Sequence, residues 1–464
     1  MSLADDIAAG LPPAALRDPD GGYLSEPRSK WRGRAALVVA PGSTDEVAEV
    51  VRRCAATRTP IVPYGGGTGL VGGQVAPDGP PPVVLSLERM SRIRAVHADE
   101  NVLVADAGAT LAEVQAAAAD ADRLFPLSYA SEGTARIGGA LSANSGGLAV
   151  LRYGTARALC LGIEAVLPDG QVHHGLVRLR KDNTGYSLRD LLIGAEGTLG
   201  VITAASLRLF PRPARTGTAL LALDGGPAAG LALLSLLRDR AGDGLSAAEL
   251  IHREGLEFRV ETGLTPDWPM AGMPEWSMLV EIGLSTGDPD QILEDAFVAA
   301  AEAGIVTDGV VARSEAQRAD LWAIRETLPE ANRLIGAIAS HDVALPLSEI
   351  AAFDDRARAA MAKIGPMRIN AFGHLGDGNL HWNLFPPKGQ AAADWKDRAD
   401  EVSRTVHDLV HAHGGSISAE HGIGRLKVAD LERYGDPAKL SAMRAIKAAL
   451  DPLGIMNPGA VLRP

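Results

Sequence analysis

The chain has 464 residues, with 45 Lys plus Arg against 57 Asp plus Glu and a formal net charge of −12. At roughly 100–200 residues per domain this length implies two or three domains, and 46% apolar with 22% charged residues excludes a disordered chain. No apolar run approaches the ~18 residues of a spanning helix, the acidic balance argues against nucleic acid as a partner, and two cysteines, Cys54 and Cys160, exclude a disulfide framework or a thiolate zinc site.

The opening MSLADDIAAGLPPAALRD carries early acids and no basic-then-apolar signal segment, so a cytoplasmic protein is expected. Residues 45–57 place Val47, Val50, Val51 and Cys54 at helical spacing, with Pro41 and Thr44 marking the start. TPIVPY predicts a short buried strand that runs into GGGTGLVGG at 65–73. PVVLSLERM, NVLVADAG and LGIEAVLPDGQV predict further strands, the last a hairpin around Asp169-Gly170, and ATLAEVQAAAADAD predicts a helix after Thr110. This mixed pattern reaches ITAASLRLFPRP, where Pro211 and Pro213 suggest a boundary. Beyond residue 214, LALLSLLRDR and ILEDAFVAAAEAG predict amphipathic helices and WSMLVEIGL a strand between them, a second α+β layer. Glycine, with 52 residues in the chain, clusters again at 372–379 and 413–424. There is no internal repeat and no low-complexity linker.

Gly67-Thr-Gly69-Leu-Val-Gly72 matches G-x-G-x-x-G literally. That fingerprint requires a helix to open at the glycines, so that its N-terminus meets a pyrophosphate. The residues that follow, QVAPDGPPP, cannot form one, because proline removes donors and blocks the turn. A nicotinamide-binding fold is therefore not expected. Consecutive glycines can still line a concave anion nest with backbone N–H groups. Two further clusters lie downstream, SEGTARIGGALSANSGGLAVLRYGTAR (131–157) and KDNTGYSLRDLLIGAEGTLGVIT (181–203).

In order and spacing, these three clusters resemble the flavin-binding domain of the vanillyl-alcohol oxidase superfamily. The branch most similar is that of D-2-hydroxy acid dehydrogenases, glycolate oxidase flavin subunits and alkyl-glycerone-phosphate synthases, over about Val38 to Leu462. The resemblance implies an α+β fold: a two-subdomain FAD-binding domain over 1–213, an α+β substrate (cap) domain with an antiparallel sheet over 214–400, and a small, mainly helical C-terminal domain over 401–464 that completes the active site. It also implies that Pro63, Gly65, Gly66, Gly67, Thr68, Gly69 and Leu70 hold the FAD pyrophosphate. Gly138, Gly139, Asn144 and Gly147 would line the flavin and ribityl chain, and Glu196, Gly197 and Ile202 the adenine and pyrophosphate side. Asn457, in the C-terminal motif, would pack near the flavin. Some superfamily members tether FAD through a histidine near the first loop; residues 63–75 contain neither His nor Cys, so non-covalent FAD is expected.

NAFGHLGDGNLHWNLF reads as strand, Gly-Asp-Gly turn, strand. Alternation sets His381 and Asn383 on one face, Trp382 and Leu384 on the other. His374 lies just before the turn, and SAEHGIG offers Glu420 and His421. Two histidines and a carboxylate leave an open position, as in a catalytic zinc site; with no thiolate, Zn²⁺ is the first expectation and Mn²⁺ or Fe²⁺ the alternatives. The residues alone fit hydrogen-bonded histidines in turns better than a metal site. GHLGDGNLH and SAEHGIG are similar to the metal motif of D-2-hydroxy acid dehydrogenases, which implies His374, His381 and Glu420 as ligands and His421 as general base. In that scheme the metal binds the substrate hydroxyl and one carboxylate oxygen as a Lewis acid, His421 accepts the proton, and the Cα hydrogen passes as hydride to flavin N5. The family places its substrate arginine where Arg325 stands in LWAIRETLPEANR, and Asn383 would hydrogen-bond the substrate.

Two departures bear on the substrate. Many relatives carry a lysine before the His-Asp of ASHDVALP, where this chain has Ser340; the C-terminal motif commonly reads Asn-Pro-Gly-Lys and here ends in Ala460. D-2-hydroxyglutarate is the favoured substrate, with D-lactate, a partner-dependent glycolate-oxidase-type subunit and a zinc hydrolase as alternatives. An electron-transfer flavoprotein or a quinone is expected as electron acceptor, and a homodimer is the default assembly. His407 and His411 stand at i, i+4 but lack the glutamate of H-E-x-x-H and run into a Gly-Gly stop. They, surface His173-His174, and apolar Cys54 and Cys160 are expected to be structural.

Overall fold

The computed structural model describes residues 3–19 and 21–463. They divide into two compact units, one of residues 1–147, 154–212 and 420–464, the other of residues 148–153 and 213–419. None of the described helices is long and apolar enough to cross a membrane.

The first unit carries two main sheets. In the four-stranded one, Leu37–Val39, Val83–Ser86 and Ile61–Tyr64 run parallel, and Leu16–Arg17 joins antiparallel at the other edge. The helix Thr44–Thr57 makes the crossover from Leu37–Val39 to Ile61–Tyr64. Its start is set by Ser43, whose side chain accepts from Glu46 N–H, with Asp45 and Glu46 facing the positive end of the helix dipole. Val47, Val50, Val51 and Cys54 form its buried face, as their spacing predicts. The five-stranded sheet is antiparallel, in the order Ile93–His97, Val102–Asp106, Val201–Arg208, Cys160–Val166, Val172–Gly175. The helix Leu111–Asp120 opens with a reciprocal capping box between Thr110 and Glu113. Short helices Val428–Tyr434 and Pro437–Leu450 form the C-terminal part.

The second unit is built on a seven-stranded antiparallel sheet. Its order is Val306–Val311, Arg215–Leu223, Trp276–Leu284, Leu245–His252, Arg368–His374, Asn379–Phe385, Asp342–Ala344. Both central strands, WSMLVEIGL and LSAAELIH, are buried along nearly their whole length, so neither reads as an in-and-out alternation. On one face, Leu321, Ile324 and Leu328 from the helices Glu315–Glu326 and Leu328–Ile335 pack on Leu220, Ile251, Leu279 and Phe372. Each such side chain contributes about 1.5–3 kcal/mol of burial free energy. On the other, Trp382 meets Phe353 edge-to-face and donates to Asp354 of the helix Ile350–Ile364.

Candidate active site

The glycine loop leaves the strand Ile61–Tyr64 without entering a helix. Its depth is fixed by close approach: a Cβ on Gly66 would stand 2.0 Å from the carbonyl oxygen of Thr134, so any side chain there displaces backbone. The three glycine clusters meet around it. A Cβ on Gly65 would lie 3.3 Å from Gly139 Cα, one on Gly138 3.5 Å from Ile202 O, and one on Gly197 2.8 Å from Pro63 Cγ. Gly138 and Gly139 sit in the helix Ile137–Ala143, which Asn144 ends in the left-handed conformation; its Oδ1 accepts from Arg157 N–H at 3.0 Å. Gly147 abuts Ser128 instead.

Among the described residues, the main-chain N–H groups of Gly65, Gly66, Gly67, Thr68, Gly69 and Leu70 donate to no protein acceptor. Half-buried donors without acceptors in a glycine loop suit a phosphate anion, and the residues fit a dinucleotide flavin.

Asn457 stitches this region together. Its Nδ2 donates to Gly73 O (3.0 Å) and Glu196 O (2.9 Å), its N–H donates to Ile61 O, and its Oδ1 accepts from Arg425. Burial brings the Arg425 guanidinium down to about 10. Glu196 lies beside this loop: its main-chain O accepts from Asn457, and its carboxylate accepts from Ile423 N–H (2.7 Å) and Gly424 N–H (2.8 Å), tying down the segment that follows His421. Burial raises its pKa despite these bonds. Tyr129 was not legible as a site residue; half-buried, with its phenol pushed up to about 12 by desolvation, it lies within the electrostatic reach of Glu420.

In the second unit, register does the positioning. His374 stands opposite Glu249, and Phe372 is opposite Ile251 on one side and His381 on the other. Residues opposite one another share a face, so Glu249, His374, His381 and Asn383 lie on the face covered by the helix Glu315–Glu326. The His374 and His381 rings are 5.8 Å apart between centroids. Asp342 pairs with His381, and Ala419 N–H donates to Asp342 O at 3.2 Å, so the peptide leading into Glu420 is anchored beside His381. His374 and His381 thus offer two ring nitrogens from adjacent strands of one sheet.

Glu249, which no sequence motif marks, holds this cluster. Oε1 is 2.5 Å from His374 Nδ1 and Oε2 is 2.6 Å from Arg325 Nε, both buried. Burial would raise its pKa, but His374 and Arg325 outweigh it and hold the carboxyl at about 2. An ionised carboxylate only accepts, so Nδ1 of His374 donates to it; in the neutral ring that tautomer makes Nε2 the nitrogen able to ligate a cation. Two histidines so paired, one of them oriented by a buried carboxylate, fit a divalent metal that takes a further carboxylate ligand. The Arg325 guanidinium lies 4.8 Å over the Phe372 ring, and its terminal nitrogens donate to no protein acceptor among the described residues. Asn383 Oδ1 accepts from His341 N–H at 3.0 Å, leaving the Nδ2 donor for another partner.

His407 stacks edge-on against His341, while His174 is exposed and 3.9 Å from Glu164. Cys54 and Cys160 are free and buried, their thiols pushed up to about 12 by burial.

Residues 212–461 match the family of FAD linked oxidases, C-terminal domain, and residues 35–175 match the FAD binding domain family. The chain is 35% identical to the mitochondrial D-2-hydroxyglutarate dehydrogenase of Bos taurus, over 99% of this chain and 83% of that one. It is also 35% identical to the D-2-hydroxyglutarate dehydrogenase of Xanthomonas citri pv. viticola, over 93% and 90%. Among solved structures, p-cresol methylhydroxylase superposes with a TM-score of 0.78 at 16% identity, over 99% of this chain and 96% of that one. The fold is therefore the vanillyl-alcohol-oxidase type. With matches spanning almost the whole chain, the protein belongs to the FAD-linked oxidases, in the family of D-2-hydroxy acid dehydrogenases.

Proposed function

We propose that this protein oxidises D-2-hydroxyglutarate to the 2-oxo acid, with non-covalent FAD and a divalent metal, Zn²⁺ first, at His374, His381 and Glu420. The observation that carries the reading is the pair His374 and His381, their rings 5.8 Å apart on the sheet face that also presents Asn383 and is covered by the helix bearing Arg325. When bound, FAD supplies the two-electron acceptor and the metal a Lewis acid that lowers the hydroxyl pKa.

The chain's own residues do the rest. Main-chain N–H groups of residues 65–70 hold the pyrophosphate, and Asn457 keeps their loop, through Gly73, against Glu196. The terminal nitrogens of Arg325 take the substrate carboxylate as a planar fork. Asn383 Nδ2 donates to a substrate oxygen. His421 Nδ1 or Nε2 takes the hydroxyl proton, on a segment held through the neighbouring Ile423 and Gly424. An electron-transfer flavoprotein or a quinone reoxidises the enzyme, which works in the cytoplasm and assembles as a homodimer.

A monocarboxylate such as D-lactate is the second reading, favoured by the uncharged, exposed Ser340 where a cation would neutralise a distal carboxylate. Anaerobic bleaching of the flavin with a panel of D-2-hydroxy acids, with and without chelator, tests both. The first reading expects fast bleaching by D-2-hydroxyglutarate, lost on chelation and restored by Zn²⁺. Preference for D-lactate supports the second, and no bleaching by any acid overturns both.

A further inference from the structure

We infer that Glu249 is a positioning residue serving the metal and the substrate at once, one oxygen setting the tautomer of His374 and the other setting the plane of Arg325. The inference rests on the metal and substrate reading above. Its geometry is independent of any motif: Glu249 is 1% exposed, lies opposite His374 in an antiparallel pair, and meets Arg325 at the end of the helix Glu315–Glu326. Oε1 to His374 Nδ1 is 2.5 Å and Oε2 to Arg325 Nε is 2.6 Å.

A buried ion pair of this kind is weak evidence for stability, because desolvating two charges offsets most of their attraction. The sheet around it is apolar, with Ile251 and Leu279 packed in the same core. What the carboxylate does that an apolar side chain cannot is accept from two donors in fixed directions. The guanidinium of Arg325 has donors and no acceptor, and His374 Nδ1 must donate if Nε2 is to face a cation. With Nε engaged and the guanidinium laid over Phe372, Arg325 has one orientation for its terminal nitrogens. An amide at position 249 has one oxygen and one NH₂, so it satisfies one donor and opposes the other. Facing His374 with its NH₂, it would select the tautomer whose Nε2 carries hydrogen and cannot ligate.

The test uses the purified full chain with FAD. Zn²⁺ affinity is measured by competition with a chelating dye, alongside KM and kcat for the D-2-hydroxy acid that bleaches the flavin. Glu249→Gln is expected to weaken Zn²⁺ binding about 10–100-fold and to raise KM by about 10-fold or more, with flavin content unchanged. Glu249→Asp keeps the charge and is expected to recover part of both. A purely structural role would lower the thermal midpoint without moving the Zn²⁺ dissociation constant. A folded Glu249→Gln variant with wild-type Zn²⁺ affinity and KM overturns the inference. Where that variant does not fold, because Arg325 is left as an unpaired buried cation, the Glu249→Gln/Arg325→Gln double variant restores neutrality and its Zn²⁺ affinity carries the same two outcomes. A wild-type chain that binds no Zn²⁺ overturns the metal reading itself, before any variant is made, and the inference with it.

Discussion

The buried carboxylate of Glu196 accepts hydrogen bonds from the backbone of Gly424, 228 positions away, and of its neighbour Ile423. These bonds hold the segment that begins at Glu420 and His421. Glu196→Ala strands two N–H donors, each costing about 1–3 kcal/mol, and is expected to lower unfolding free energy by about 2–6 kcal/mol in a denaturant titration. It is also expected to lower turnover, because His421 is carried on the loosened segment. Wild-type stability in that variant would mean water replaces the carboxylate.

His421→Ala is expected to retain flavin and metal but lose about 10²–10⁴-fold in kcat, the range for removing a general base. Flavin absorbance, metal content and steady-state kinetics on one preparation check this, and retained turnover removes His421 from the proton transfer.

Arg325 cannot be read through alanine alone. Removing it leaves Glu249 as an uncompensated buried charge, which costs about 3–5 kcal/mol and would be mistaken for lost binding. Arg325→Lys keeps the charge and loses the planar fork, so it is expected to raise KM about 10-fold or more with a small change in thermal midpoint. Unchanged kinetic constants would take Arg325 out of the substrate site.

Gly66→Ala is expected to abolish flavin binding, since its Cβ would stand 2.0 Å from Thr134 O and push the pyrophosphate loop off its neighbour. The ratio of visible to ultraviolet absorbance after purification measures it. A fully yellow variant would mean the 134–139 segment yields without cost.

His252 sets a pH dependence of stability. Its Nδ1 accepts from Glu254 N–H at 3.1 Å and caps the helix Arg253–Thr262, a role only the neutral ring can play. Burial, with Arg358 and Arg253 nearby, lowers its pKa to about 3, while an exposed Glu275 oxygen at 3.7 Å is too distant to hold the proton. The unfolded chain therefore binds the proton first, and stability falls as pH drops from about 6.5 towards 3, by on the order of 4–5 kcal/mol in total. His252→Asn keeps a cap without a titrating ring, so its acid-induced loss between pH 6.5 and 4 is expected to be smaller than that of the wild type. Parallel curves would mean another group governs the acid limb.

The glycine loop, the histidine hairpin and the SAEHGIG turn were legible because each concentrates its residues within a dozen positions. The helix Thr44–Thr57 and the strand Trp276–Leu284 were legible from periodicity and from an apolar run. Glu249 was not: LSAAELIH has no motif, and its role arises from register with His374, 125 positions away. Asn457 was legible as part of a C-terminal motif, but its stitching of Ile61, Gly73 and Glu196 is a tertiary relation no local pattern encodes. Glu196 is alike: its glycine-rich motif is local, whereas the bonds of its carboxylate to Ile423 and Gly424 are tertiary relations.

The bonds that Ile61 makes with Ile455 and Asn457 bear on how the chain is synthesised. Ile61–Tyr64 is the outer strand of its sheet, and the main chain of Ile61 is satisfied on that side only by residues 455–457. Residues 455–457 are made long after Ile61, so until then the N–H and C=O of Ile61 stand open at an edge where other chains pair. A chain truncated before Ile455 is expected to keep that edge open and to scatter light on refolding as well as lose activity.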